Sequence, residues 1–205
     1  PETLPPEKRR AIRWPLIREA LGSIFLNRQT VGYTLAAGAF FGSLFGFIGT
    51  VQPLMVDVYG LGLWFPLAFA GMALAMGFSS LINGFIVERF GMRLLSHSGA
   101  LASTVVSLTM LAFAQAGQLG VVTFLAMMSV NLLLVGLVFS NFNAIAMEPQ
   151  GHVAGVASAF ISAATVIVGA SIGFVIGANF DGSPIPLVAG FSICGATTLA
   201  LVAIT

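Results

Sequence analysis

Charged residues are scarce in this chain of 205 residues: 7% are Asp, Glu, Lys or Arg, whereas 58% are hydrophobic. Soluble domains carry about 25% charged residues, so this composition excludes a soluble enzyme and a nucleic-acid-binding protein. The one cysteine, Cys194, lies in an apolar run. It can form neither an intrachain disulfide framework nor a cysteine-based metal site. The composition therefore predicts a membrane protein.

Catalytic signatures are missing as well. The sequence has no Gly-rich phosphate loop followed by Lys, no nucleophile elbow and no His/Glu metal pattern. We therefore expect no enzyme activity, no cofactor and no metal site. The first residue is Pro1 and the last residues continue an apolar run, so we expect a piece of a longer protein.

The apolar runs predict an all-α membrane protein with six transmembrane helices. A bilayer core takes about 20 apolar residues in a helix, and alternating strand patterns are absent. The predicted helices cover residues 31–56, 63–87, two spans between Arg93 and Glu148 that turn near 115–118, 153–180, and a last one from 187. The six-helix domain is predicted over 29–205, after a linker over 1–28.

The positions of the charges predict the orientation. Nine of the fifteen charged residues fall within the first 28 positions, and all eight Lys and Arg fall on one side of the six spans. Since cytoplasmic loops are enriched in Lys and Arg, both termini are predicted to be cytoplasmic, with the spans in the cell inner (plasma) membrane. Asp57 and Asp181 then lie on the outer face.

Residues 15–27 predict a short amphipathic helix ahead of the first span. Its apolar side chains recur at helical spacing on one face: Trp14, Ile17, Leu21, Ile24 and Phe25. This pattern is typical of a helix in the plane of the membrane surface. The alternative is a linker helix that packs on protein.

The most specific motif is G-F-I-V-E-R-F-G-M-R, at residues 84–93 between the second and third spans. A glycine, an acid–Arg pair, a Gly turn and a further Arg can bridge helix ends in one conformation and release them in another. The alternative is that the arginines only fix topology. The motif predicts a gating role for Gly84, Glu88, Arg89, Gly91 and Arg93.

This loop resembles the motif G-x-L-A-D-R-x-G-R-R/K of the major facilitator superfamily, from which it departs at Glu88 and Met92. The resemblance implies one six-helix half, built as a 3+3 inverted repeat, of a twelve-helix transporter. The start P-E-T-L-P and residues 32–38 and 146–158 are similar to the Bcr/CflA-type drug-resistance branch. They imply its C-terminal half, which acts in proton-coupled drug efflux.

Two glycine stripes have the four-residue spacing that lets helices approach closely in lipid. They are Gly38, Gly42 and Gly46 in the first span, and Gly169, Gly173 and Gly177 in the fifth. One interpretation is permanent tight packing. The other is a smooth surface along which two halves rock, for which the resemblance favours the fifth span.

Polar and aromatic side chains at membrane depth are candidates for a substrate cavity, since they are costly elsewhere in lipid. The predicted lining residues are Thr34, Phe41, Phe45, Gln52 and Asn131. An uncharged aromatic and amide wall suits a hydrophobic or amphipathic solute. The alternative is that both rings face lipid and Asn131 bonds a neighbouring helix.

Carboxylates are absent from the middle of every predicted span. A proton-coupling acid is therefore expected in the N-terminal half. Besides the lipid bilayer, that half is the first candidate partner of this chain. A second hypothesis is a homodimer of two copies that acts as a facilitator. A third is a non-transporting membrane fragment.

Overall fold

A computed structural model describes residues 14–205, and this part of the chain contains helices and turns but no strand. The helices are α1 (Trp14–Leu26), α2 (Arg28–Pro53), α3 (Phe65–Phe90), α4 (Met92–Gln115), α5 (Val121–Met147), α6 (Ala154–Ala178) and α7 (Ile185–Ala203). A π-helical turn (Leu54–Val58) extends α2, and 3-10 turns precede α3 (Gly62–Trp64) and join α5 to α6 (Glu148–Val153). The all-helical prediction is confirmed over the described residues, and the predicted spans overlap α2 to α7.

Five stretches of the described residues are long and apolar enough to cross a membrane, by length and composition alone. They are Arg28–Val58, Gly62–Phe90, Met92–Gln115, Val121–Ala178 and Ile185–Ala203. The fourth stretch contains both α5 and α6, because the 3-10 turn between them joins the two helices without a gap. Within this turn, Gln150 has non-helical backbone angles. The α5 and α6 helices have 27 and 25 residues, so each is long enough to span a bilayer core.

The α2 helix lies at the centre of the bundle. It packs most extensively against α6, and also against α7 and α5. The α4 helix contacts α5 and α7, and α3 contacts mainly α5. When α2 is exchanged with α5, α3 with α6 and α4 with α7, each of these contacting pairs becomes a pair that is also in contact: α2–α6 becomes α5–α3, α2–α7 becomes α5–α4, and α2–α5 and α4–α7 stay the same. The two sets of three helices therefore pack alike.

Four chain segments meet at one end of the bundle, which we call the α1 end. They are the start of α2, the α3–α4 junction, the α5–α6 turn and the last residues, where Arg28 donates to the carbonyl of Ile204. The described basic residues Arg18, Arg28, Arg89 and Arg93 belong to α1 or to these segments. Asp57 and Asp181 belong to segments at the opposite end. Of the eight Lys and Arg residues that predict the orientation, the four at positions 8, 9, 10 and 13 lie outside the described residues.

The α1 helix divides its apolar side chains between two directions. Ala20 and Ile24 are buried on the side where α1 contacts α6 and α2. Trp14 and Phe25 are exposed by 72% and 61%, although the Phe25 ring meets Phe160 of α6 edge-on at 4.9 Å. The predicted single apolar face is thus split between protein packing and an exposed side.

Candidate functional site

Three segments meet around Gln29, in the first turn of α2 at the α1 end. Its amide nitrogen donates to a carboxylate oxygen of Glu148 and to the backbone carbonyl of Ile145, each at 2.9 Å. Its amide oxygen accepts from Nη2 of Arg93 at 3.0 Å. Gln29 therefore stands between a cation at the start of α4 and an anion in the α5–α6 turn. Of these four residues, only Arg93 belongs to the predicted gating motif.

A second set of hydrogen bonds fixes the start of α2. Oδ1 of Asn27 accepts from the backbone N–H of Thr30 at 2.9 Å, which caps the helix. The Thr30 hydroxyl accepts from Nε2 of Gln150 at 3.0 Å, and Oε1 of Gln150 accepts from the Ser23 hydroxyl at 3.4 Å. Thr30 and Gln150 are buried. We call both sets together the α1-end network: Ser23, Asn27, Gln29, Thr30, Arg93, Glu148 and Gln150.

The predicted gating motif straddles the junction between α3 and α4. Gly91 joins the two helices with a φ of 78°, a conformation that L side chains rarely adopt, so the sharp junction requires glycine. Arg93 enters the α1-end network, whereas the guanidinium of Arg89 lies 5.5 Å from the ring centroid of the following phenylalanine. Glu88 is exposed on the last turn of α3, and Gly84 is exposed one turn earlier.

One turn inside the α1-end network, Tyr33 and His97 connect α2 to α4. The Tyr33 hydroxyl and Nε2 of His97 are 2.9 Å apart, and the two rings stack with centroids 6.0 Å apart. Phe142 of α5 meets the Tyr33 ring edge-on at 5.4 Å. The pair therefore adds a second polar connection between the helices that Gln29 and Arg93 already join.

A second group of candidate residues lies further along α2. Phe41 stacks on Phe139 of α5 with ring centroids 4.2 Å apart, and meets Phe45 edge-on at 5.4 Å. Both α2 rings are half-buried, and Gln52, two turns beyond Phe45 on the same face, is exposed. A Cβ added at Gly49 would meet nothing within 4 Å. We call this side the open face of α2, defined by Phe41, Phe45, Gly49 and Gln52.

The other two predicted cavity residues make hydrogen bonds inside the bundle. Thr34 is 2% exposed, and its hydroxyl donates to the carbonyl of Thr30 at 2.6 Å. Asn131 is fully buried, and its Oδ1 accepts from the hydroxyls of Ser103 at 2.7 Å and Ser107 at 3.4 Å on α4. The structure thus brings Phe41, Phe45 and Gln52 to one face and places Asn131 between α4 and α5.

The glycine stripes meet where α2 crosses α6. A Cβ added at Gly38, Gly42 or Gly46 would lie 2.7 to 2.8 Å from side-chain carbons of Val168, Ile172 or Ile176. On α6, a Cβ at Gly169 would lie 3.2 Å from the Phe45 ring, and one at Gly173 would lie 2.9 Å from the backbone nitrogen of Gly46. A Cβ at Gly177 would meet nothing within 4 Å. Five of the six glycines therefore allow this close helix crossing.

Carboxylates lie at the ends of the described bundle. Asp57 is exposed on the π-helical turn after α2. In the α6–α7 loop, the hydroxyl and the backbone N–H of Ser183 donate to Asp181, which lowers the pKa of its carboxyl below the usual value. Within residues 14–205, no three His, Cys, Asp or Glu side chains are placed to hold a metal ion.

The chain is similar to YdgK of Bacillus subtilis (strain 168), an uncharacterized MFS-type transporter, that is, one of the major facilitator superfamily. The two are 27% identical over 183 residues, which cover 87% of this chain and 44% of YdgK. The chain thus spans less than half the length of this relative. No family model and no solved structure matches it. Together with the apolar helices, the similarity indicates a multi-pass membrane protein.

Proposed function

We propose that this chain is the C-terminal six-helix half of a major facilitator superfamily transporter of the Bcr/CflA type, which exports an amphipathic solute by alternating access. The observation that carries the proposal is the open face of α2. On a helix most of whose side chains pack into the bundle, two half-buried rings and an exposed amide follow one face, which also exposes Ile48. An amide at membrane depth is costly unless it faces water, a ligand or another polar group, so this face suits a solute pathway.

The packing pattern supports the assignment of a 3+3 inverted repeat. The helix contacts are unchanged in kind when α2–α4 and α5–α7 are exchanged. Each set has three helices, so corresponding helices such as α2 and α5 run in opposite directions. This is the arrangement expected of an inverted repeat, whose binding sites lie where the two repeats meet. Phe41 of α2 and Phe139 of α5 stack at this meeting point.

The energy coupling and the missing wall of the cavity are assigned to a partner. The described acids are Glu19 in α1, at the end of the bundle, and others at or beyond the ends of α2 to α7, so the proton-coupling carboxylate belongs to the N-terminal half. That half would close the open face of α2 and complete the pathway. In a homodimer a second copy would take this position, and transport would not be coupled to protons.

The α1 end is assigned to the cytoplasm, and α1 to the membrane surface. Cytoplasmic loops are enriched in Lys and Arg, and Trp14, Phe25 and Arg18 form an exposed apolar and basic side of α1. Aromatic rings favour the headgroup region. Trp14 fluorescence should therefore be weaker in vesicles of brominated lipid than in micelles of unbrominated detergent from which the lipid has been removed. Equal emission in both would contradict this placement. A Trp64→Phe background isolates the signal of Trp14.

The transport assignment is tested with the complete protein in proton-loaded proteoliposomes and a fluorescent amphipathic solute. We expect Phe41→Ala and Phe45→Ala to raise the KM for uptake about fivefold to tenfold, since one aromatic contact contributes about 1 kcal/mol. Gln52→Ala should raise it less. The matched control is Phe113→Ala, which removes a ring of 38% exposure from α4 and should leave the KM unchanged.

Three outcomes discriminate between the proposals. Equal effects of Phe41→Ala and Phe113→Ala would show that the open face does not contact the solute. Transport by an assembly of two such chains, with no dependence on the proton gradient, would favour the homodimer. Absence of uptake of any amphipathic probe by wild-type protein would overturn the transport assignment.

A further inference from the structure

The side chain of Gln29 makes a set of contacts that no other common side chain of its size could make. Its oxygen accepts from the cation Arg93, while its nitrogen donates to the anion Glu148 and to the carbonyl of Ile145. An amide has both an acceptor and two donors. A carboxylate in this position would repel Glu148, and an ammonium group would repel Arg93.

The two charged partners depend on this bridge for a fixed geometry. Arg93 and Glu148 are exposed, whereas Gln29 is half-buried. An exposed ion pair on its own contributes little, because water and salt screen it and two long side chains must be ordered. Gln29 is held by its position in the first turn of α2 and by a bond to a backbone carbonyl. It can therefore order both charges at a lower entropic cost than they could order each other.

The bridge also joins the two sets of three helices. Gln29 and Arg93 belong to α2 and α4 in the first set, and Glu148 belongs to the turn between α5 and α6 in the second. We infer that Gln29 is a positioning residue for gating: its amide couples the α3–α4 junction to the α5–α6 turn, so that the α1 ends of both sets move as one unit. This inference rests on the proposed transport function.

The start of α2 keeps a separate anchor when Gln29 is changed. The buried Gln150 amide bonds the Thr30 hydroxyl at 3.0 Å, and Asn27 caps the helix. Neither contact involves Gln29, Arg93 or Glu148. Variants at position 29 should therefore fold, while they lose the connection between the two charged groups.

The test is an exchange of the amide and the carboxylate. Gln29→Glu places a second carboxylate beside Glu148, and we expect it to lower kcat for transport about fivefold to tenfold, the size of a typical coupling between sites. The KM should not change, because the open face of α2 is not altered. The double variant Gln29→Glu with Glu148→Gln keeps the acceptor for Arg93 and places an amide donor opposite it, so the repulsion between two carboxylates is removed. The bond to the Ile145 carbonyl stays lost in both variants, so the double variant should recover part of the wild-type kcat.

A distance measurement reports the same coupling without transport. Spin labels at the exposed positions Leu94 and Gly151, in a Cys194→Ala background, monitor the α3–α4 junction and the α5–α6 turn. Wild type and the double variant should give one narrow distance distribution, and Gln29→Glu a broader or longer one. The matched control is Gln118→Glu, the same substitution at an exposed glutamine of the opposite end, which should change neither readout.

Unchanged kcat and label distances in Gln29→Glu, or a double variant no better than the single one, would overturn the role of Gln29 and leave transport standing. If wild-type protein transports no probe, the proposed function fails. The label distances then still decide whether Gln29 couples the two segments.

Discussion

Two consecutive helices of equal length, α2 and α3, have similar hydropathy but opposite surroundings. Each has 26 residues, yet 72% of an apolar 18-residue segment in the α2 stretch is buried inside the bundle, against 11% of such a segment in the α3 stretch. Hydropathy therefore identifies both as membrane helices without distinguishing them. What distinguishes them is how many of their side chains are buried against other helices.

Small residues explain why α2 can occupy the centre. Gly38, Gly42 and Gly46 let the α6 side chains approach the α2 backbone, and close approach is what favours helix association in lipid. On α3, only Met72 and Ser79 are buried, seven residues apart along a narrow seam. Ser79 faces Gly136 of α5. Small-residue spacing alone does not identify the central helix, since Gly71, Ala75 and Ser79 of α3 have the same four-residue spacing and a Cβ added at Gly71 would meet nothing within 4 Å.

The largest expected effect comes from Gly173→Ala, which would break the central position of α2. The added methyl would meet the backbone of Gly46 at 2.9 Å and the Phe45 side chain. Backbone cannot rotate away as a side-chain end can, so the helices must separate. We expect a destabilisation of about 1–3 kcal/mol, as for other overpacked sites, and a lower Tm in detergent.

Gly177→Ala is the matched control, because it adds the same methyl to the same α6 stripe where nothing lies within 4 Å. Its Tm should equal that of wild type or exceed it slightly, since Ala is the better helix former. Equal Tm losses in both variants would show that the stripe acts through helix propensity and not through its contact with α2.

Much of the fold could be predicted from the sequence, because a bilayer imposes a strong length and polarity requirement on each helix. The predicted spans therefore overlap α2 to α7. The end of α2 far from α1 was less predictable: Pro53 is followed by a π-helical turn, which hydropathy does not register. The exposed and buried sides of α1 were not separable either, because Ile24 and Phe25 are equally apolar neighbours.

The candidate site was less predictable, because it depends on which side chains meet across helices. Gln29 is an ordinary boundary residue in the sequence, and its role depends on Glu148, 119 positions away. Phe139 is one of 18 phenylalanines, and only the α2–α5 crossing distinguishes it. Asn131 carries a polar signal, but the sequence alone did not decide between a cavity and a neighbouring helix.

The smallest expected effect concerns the narrow seam that holds α3. Asn141 of α5 donates to Oδ1 of Asn83 on α3 at 2.6 Å, so Asn83→Ala removes one interhelical hydrogen bond near the α1 end. The Asn141 amide keeps its bond to the carbonyl of Leu137, so the expected loss is only about 0.5–1 kcal/mol, typical of such bonds in membranes. The rate of amide hydrogen exchange in the last turns of α3 should rise measurably, whereas the Tm should fall only slightly.

Asn143→Ala is the matched control for the α3 seam, since the amide of Asn143 bonds only the carbonyl of Phe139 in its own helix among the described residues. Exchange in α3 should remain at the wild-type rate in this variant. If Asn83→Ala also leaves α3 exchange unchanged, then the packing of Met72 and Ser79 holds the helix without help from the amide pair. In that case both helices would be held by close packing. The difference between them would then be only that α2 packs on several sides and α3 on one.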